Sequence, residues 1–124
     1  MNADGTQELF DVARRGDAAE LATALDGGAS PDATNENGDT LVMLAAYHGH
    51  AEAVKLLLQR GADPNRLNNR QQSPLSGAVY KQDEAVIEAL LAGGANPHIG
   101  APTAWQAAKL FRLEKWEQRF LEAR

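Results

Sequence analysis

The chain has 124 residues, one domain's length, and its 44% hydrophobic content with 6% aromatics excludes a disordered chain. Twelve Lys and Arg against seventeen Asp and Glu leave a formal charge of −5, which repels phosphate backbones and argues against nucleic acid as a partner. Cysteine is absent, so there is neither a disulfide framework nor a thiolate nucleophile, and zinc would have to be held by histidines and carboxylates. The opening Met1-Asn2-Ala3-Asp4-Gly5 has no basic region followed by an apolar stretch, and no apolar run approaches a membrane span. The expectation is a cytoplasmic protein with no membrane contact.

Taken in order, the elements are short helix pairs. The first pair turns at Ala13-Arg14-Arg15-Gly16-Asp17, where Gly16 allows a left-handed residue. Asp17 with Glu20 has the pattern of a capping box opening the second helix. Leu21 and Leu25 give that helix an apolar stripe, and Gly27-Gly28 closes it. In the next pair Thr40 supplies the N-cap, Gly49 the turn, Val54, Leu57 and Leu58 the stripe, and Gly61 the stop. The third begins with Ser73 as cap and Pro74 in the first turn, has Gln82 at the turn, and carries Val86, Leu90 and Leu91 up to Gly93-Gly94. The last stretch, Trp105 to Leu121, holds both tryptophans and two of the three phenylalanines.

Self-similarity fixes the phase of these pairs. Gly28-Ala29-Ser30-Pro31-Asp32, Gly61-Ala62-Asp63-Pro64-Asn65 and Gly94-Ala95-Asn96-Pro97-His98 recur every 33 residues. A helical hairpin of this size cannot bury its stripe alone and must stack on neighbours, as in a solenoid. Thr40-Leu41-Val42-Met43-Leu44-Ala45-Ala46, followed by Gly49-His50 and Gly61-Ala62-Asp63-Pro64-Asn65, resembles the ankyrin repeat. The resemblance covers essentially the whole chain. It implies an all-α solenoid of four helix-turn-helix units with one or two short β-hairpin fingers. The units are an N-terminal cap (1–34), repeats at 35–67 and 68–100, and a C-terminal cap (101–124).

Departures from the family pattern are expected to soften the stack. Its Thr-Pro-Leu-His signature has lost the histidine at Met43, Ser76 and Gln106, and the proline at Leu41. Gln82 stands where a turn glycine is usual, and Gly77 lies inside a helix, at a cost of up to about 1 kcal/mol relative to alanine. The third unit therefore reads as the least stable. Pro97 to Thr103 is three residues shorter than Pro64 to Ser73, so fingers are expected only near 33–40 and 66–73.

Catalytic chemistry finds no support in the residues. There is no glycine-rich phosphate loop, serine elbow or His-Glu-x-x-His, and a repeat stack offers a shallow groove instead of a closed pocket. His48 and His50 lie across a turn and His98 is a repeat away, so no metal set is expected; Asp83 and Glu84 read as helix-start charges. No catalytic residue, metal or cofactor is assigned. The family resemblance implies instead that the ends of the first helices line a concave binding face: Arg14 and Arg15, Tyr47 and His48, Tyr80 and Lys81, Leu110 and Phe111. Tyr47 and Tyr80 occupy equivalent places on adjacent units, about 8–10 Å apart, and would form an aromatic hot spot. Finger tips would add Glu36, Asn37 and Asp39 from one unit and Asn69, Arg70 and Gln72 from the next. The competing reading is that the tyrosines pack back onto the stack and the cations are merely solvated.

The basic character of this row, in an acidic chain, points to a non-catalytic interaction module that takes an acidic and apolar segment of another protein. Four units span about 30 Å, the length of a helix of roughly 20 residues. The aromatic C-terminal segment is expected to cap the stack through Trp105, Trp116, Phe120 and Leu121, leaving Lys115, Glu117, Arg119 and Glu122 to water. The alternative is that Phe111 or Phe120 leaves an apolar patch that makes the chain a self-associating dimer; a monomer is the expectation.

Overall fold

A computed structural model describes residues 3–122. Among them the chain forms eight helices: α1 (Ala3–Arg15), α2 (Ala18–Asp26), α3 (Leu41–Tyr47), α4 (Ala51–Gln59), α5 (Pro74–Lys81), α6 (Glu84–Ala92), α7 (Ala104–Leu110) and α8 (Glu114–Glu122). Successive helices pair as hairpins, and the hairpins stack. An inner layer runs α1, α3, α5, α7, and an outer layer runs α2, α4, α6, with α8 packed against α7. The core is a continuous apolar seam between the layers, to which every unit contributes fully buried side chains: Leu21, then Leu41 and Leu57, then Leu75, Ile87 and Leu90, then Phe120. Each such side chain is worth about 1.5–3 kcal/mol relative to exposure, and none of these hairpins could bury its own stripe unaided.

Helix starts follow the sequence closely. Oxygens of Asp17, Thr40, Ser73, Asp83 and Thr103 accept the orphan N–H three residues on. One detail differs. The Glu20 carboxylate does not return to Asp17 but accepts from Arg15 at 3.1 Å, so that capping box is only half made. The complete box is at Thr103 and Gln106, whose side chain accepts the Thr103 N–H at 2.9 Å.

Gln106, Met43 and Ser76 occupy the position of the missing family histidine, and each recovers a bond of its own. Met43 Sδ accepts from Asn68 at 3.4 Å, and Ser76 Oγ donates to the Ser73 carbonyl at 3.2 Å. Gln82 takes the left-handed conformation expected of the glycine it replaces (φ 57°).

The fingers lie where expected but are barely β-structured. Thr34 and Thr40 form an isolated antiparallel bridge, and Asn35 and Asn68 close the two loops by donating their N–H groups to the carbonyls of Asp39 and Gln72. In the last unit Ala101 instead donates to the Gln71 carbonyl of the preceding finger.

The Gly-Ala-x-Pro-x blocks supply a ladder between units. Asp32 Oδ1 accepts from the Asp63 N–H at 2.8 Å, and Asn65 Oδ1 accepts from the Asn96 N–H at 2.7 Å. His98, at the same phase, donates from Nε2 to the Phe120 carbonyl at 2.9 Å and so ties the C-terminal cap. That cap buries Trp116 and Phe120 as expected, but Leu121 is 56% exposed, because it falls on the solvent side of α8. Lys115 and Arg119 face solvent as expected and in addition pair with Glu84 and Glu88 of α6.

Candidate functional site

The inner helices end where the expected row lies. Helix α3 reads Leu-Val-Met-Leu-Ala-Ala-Tyr and buries its first six residues, so Tyr47 is the first side chain to emerge. One repeat on, Tyr80 emerges from α5 in the same way, and Leu110 and Phe111 end α7. Tyr47 is 47% exposed, Tyr80 64% and Leu110 76%; with Leu121 these are the large apolar side chains exposed among the described residues.

The tyrosines are half-packed, each against its successor unit. Lys81 Nζ sits 4.6 Å from the Tyr47 ring centre, a cation–π arrangement, and the Tyr80 and Phe111 rings meet edge-on at 5.5 Å. Below them opens a groove of about 810 Å³. Of the expected residues it gathers Tyr47, Tyr80, Leu110 and Phe111 from the helices, and Asp39, Arg70 and Gln72 from the fingers. It does not gather Arg14, Arg15, Glu36, Asn37, His48, Asn69 or Lys81.

The ungathered residues have identifiable duties. Arg14 is bound to Asp11 at 2.6 Å and Arg15 to Glu20 at 3.1 Å, so both charges are compensated within the first unit. The Arg14 carbonyl also accepts from His50 Nε2 at 2.7 Å. His48 stacks edge-on against Tyr47, and its pKa is held below the ordinary 6.5, first by burial and then by His50, Arg14 and Lys81 nearby. Asn69 bridges the fingers, its N–H on the Asn37 carbonyl at 3.0 Å and its amide on the Glu36 carbonyl at 3.1 Å. The row is therefore less basic than the sequence alone indicates.

Sequence reasoning missed the groove's floor. Met43, Leu44, Ser76, Gly77 and Ala107 lie three or four residues before the rim residues on the same helices, and Pro74 and Pro102 flank them. Helical spacing counted back from Tyr47, Tyr80 and Phe111 would have found the first five. It also missed Asn68, a buried hub that donates to Asp39 Oδ1 (2.9 Å) and Gln72 Oε1 (2.8 Å) while accepting from the Arg70 and Gln72 N–H groups.

Charge is divided between the layers. Of the inner helices, α1 carries three carboxylates against two cations, and α3, α5 and α7 carry only Lys81 and Lys109. The outer helices α2, α4, α6 and α8 carry eight carboxylates against three cations. The inner layer thus carries a slight positive surplus, concentrated on α5 and α7, in a chain of net −5. Among the described residues, no group of three His, Cys, Asp or Glu side chains is placed to hold a metal ion, and no helix is long and apolar enough to cross a membrane.

Stacked helical hairpins with short stacked fingers and a lined inner groove define a helical repeat solenoid. Residues 9–101, three quarters of the chain, match the family described as ankyrin repeats (3 copies), and the protein belongs to that family. It is also similar to a Pseudomonas aeruginosa protein whose name describes it as an ankyrin repeat protein, with 51% identity over 43 residues. That match covers 35% of this chain and spans a quarter of the relative's length.

Proposed function

We propose that this ankyrin repeat protein is a non-catalytic adaptor whose concave face binds an acidic and apolar segment of another protein. Ankyrin repeats are in general protein-interaction modules. The observation that carries the reading here is that three of the four large apolar side chains exposed among the described residues, Tyr47, Tyr80 and Leu110, border one groove. Stability alone gives no reason to leave them at a common rim, and the surplus positive charge of the inner helices favours carboxylates in the occupant. In this reading Tyr47 and Tyr80 are the anchors, Leu110 and Phe111 extend the apolar strip, and Asp39, Arg70 and Gln72 set orientation. His48, Lys81, Arg14 and Arg15 form the far lip, and Glu36, Asn37 and Asn69 brace the fingers.

We further propose that the protein acts as a monomer and, given its lack of cysteine, in a reducing compartment such as the cytoplasm. Phe120 is fully buried and Phe111 is engaged by Tyr80, which supports the monomer over a dimer built on either phenylalanine. The test is affinity capture from lysate of the source cells with wild type and a Tyr47→Ala/Tyr80→Ala variant, both checked for folding by circular dichroism. Proteins held by the wild type and lost by the variant are expected; an identical set on both baits would remove the tyrosines from the site. Light scattering at two concentrations reports the oligomeric state, and a concentration-dependent dimer would reverse that part of the reading.

A further inference from the structure

Gly77 is a glycine without a structural reason. It lies inside α5 with no left-handed backbone, and a Cβ built there would meet only Tyr47 Cδ1, at 3.9 Å, an ordinary contact. Alanine would fit and would favour the helix, so folding gains nothing from the missing side chain. What the absence does is leave unfilled the space that a side chain would take in the groove lining, one turn before Tyr80 and beside Tyr47, and this space is the notch.

The notch has apolar walls and charged ends. Tyr47 stands beside it, and Leu44 and Tyr80 line the same groove, with Phe111 against Tyr80. Past the groove lining at the turn side stands Lys81, its ammonium over the Tyr47 ring, and at the finger side exposed Arg70 lines the groove itself. Neither cation has a carboxylate within ion-pair distance among the described residues, and Asp39, the groove's carboxylate, already accepts from Asn68.

Resting on the concave-face reading, we infer that the notch over Gly77 is the specificity pocket of the groove. It receives one large aliphatic side chain from a partner segment that carries carboxylates on both sides of that residue. The glycine makes room for the side chain between the tyrosines, and Lys81 and Arg70 take the flanking carboxylates. A basic or uncharged segment would leave both cations without partners, and a segment with alanine at the centre would leave the notch unfilled.

The probe is the blocked peptide Asp-Glu-Leu-Glu-Asp, titrated into ¹⁵N-labelled protein to millimolar concentration. The amides of Gly77, Tyr80 and Lys81 should shift most. Replacing the central Leu by Ala, or the protein's Gly77 by Ala, should weaken binding about tenfold, the worth of one buried aliphatic side chain. An Asn-Gln-Leu-Gln-Asn peptide should bind more weakly than the acidic one. Gly77→Ala should at the same time melt higher than wild type, so lost binding cannot be put down to lost fold.

Binding indifferent to the central residue and to Gly77→Ala overturns the notch while leaving the concave face as the site. Absence of any concave-face shift overturns the notch as well. The broader reading is decided separately, by whether the tyrosine double variant keeps the captured proteins.

Discussion

On the convex side Arg60 reaches Asp26, and Lys115 and Arg119 reach Glu84 and Glu88, so charges of adjacent units cancel in pairs. On the inner helices Lys81 and Lys109 lie over the rings of Tyr47 and Trp105, and among the described residues no carboxylate pairs with them. The two faces come from the same repeat, so the difference cannot be put down to the architecture. It shows which surface is finished within the chain and which is left with unmatched groups. Substitutions at the joints between layers or between units should cost stability. Substitutions at the groove rim should cost recognition and little else.

The joint between α1 and α2 should give the largest stability effect. Gly16 has φ +74°, and a Cβ there would fall within the His50 ring, which is held by its bond to the Arg14 carbonyl. Gly16→Ala adds left-handed strain and displaces that ring, for a loss of about 3 kcal/mol in urea denaturation. A loss near zero would show that His50 does not hold the N-terminal cap. Asn68→Ala comes next. It removes the acceptor of two loop N–H groups and the donor to Asp39, and about 2 kcal/mol should go with it. If it also abolished binding while the finger stayed folded, the division between joints and rim would fail at this residue.

Gln82→Gly acts at the equivalent joint of the third unit with the opposite sign. Gln82 already occupies a left-handed conformation (φ 57°), so glycine removes strain at some cost in unfolded-chain entropy, and stability should rise by about 0.5–1 kcal/mol. Thermal melting checks it. A fall would mean that the Gln82 side chain stabilises the turn in a way its backbone angles do not reveal.

The joints were largely legible in the sequence because they are local. Gly16, Gly49 and Gln82 share one phase of a 33-residue period, and Thr40 and Ser73 are caps of a recognisable type. The groove was half legible. The period brought Tyr47, Tyr80, Leu110 and Phe111 into register, but Arg14 and Arg15 counted as groove cations only because the sequence does not show Asp11 and Glu20 lying against them. Asn69 and Asn68 differ for a similar reason. Adjacent and identical in type, both reach the preceding finger, but Asn69 does so from the exposed edge and Asn68 from a buried position that also closes its own loop, and only the packed loop distinguishes them. Inter-unit partners such as Asp32 with Asp63 lie some 30 residues apart, beyond the reach of any local pattern.

The smallest effect is expected on the convex face, where Arg119 holds the Glu88 carboxyl below its ordinary value of 4.5, first by their hydrogen bonds and then by charge. A carboxyl whose pKa is lowered by folding adds stability above its unfolded value, and that stability is lost as pH falls through the folded one. Arg119→Ala should therefore leave the protein slightly less stable at about pH 7, with the gap from wild type closing below the ordinary carboxylate range. Side-chain ¹³C titration should show Glu88 returning toward 4.5 in the variant. Arg119 also stands over the Trp116 ring, 5.4 Å from its centre, and that contact does not depend on Glu88 ionisation. A gap that persists in acid would mean that Arg119 holds the C-terminal cap through the tryptophan instead of the carboxylate. The convex face would then share with the concave one its reliance on cations laid over aromatic rings.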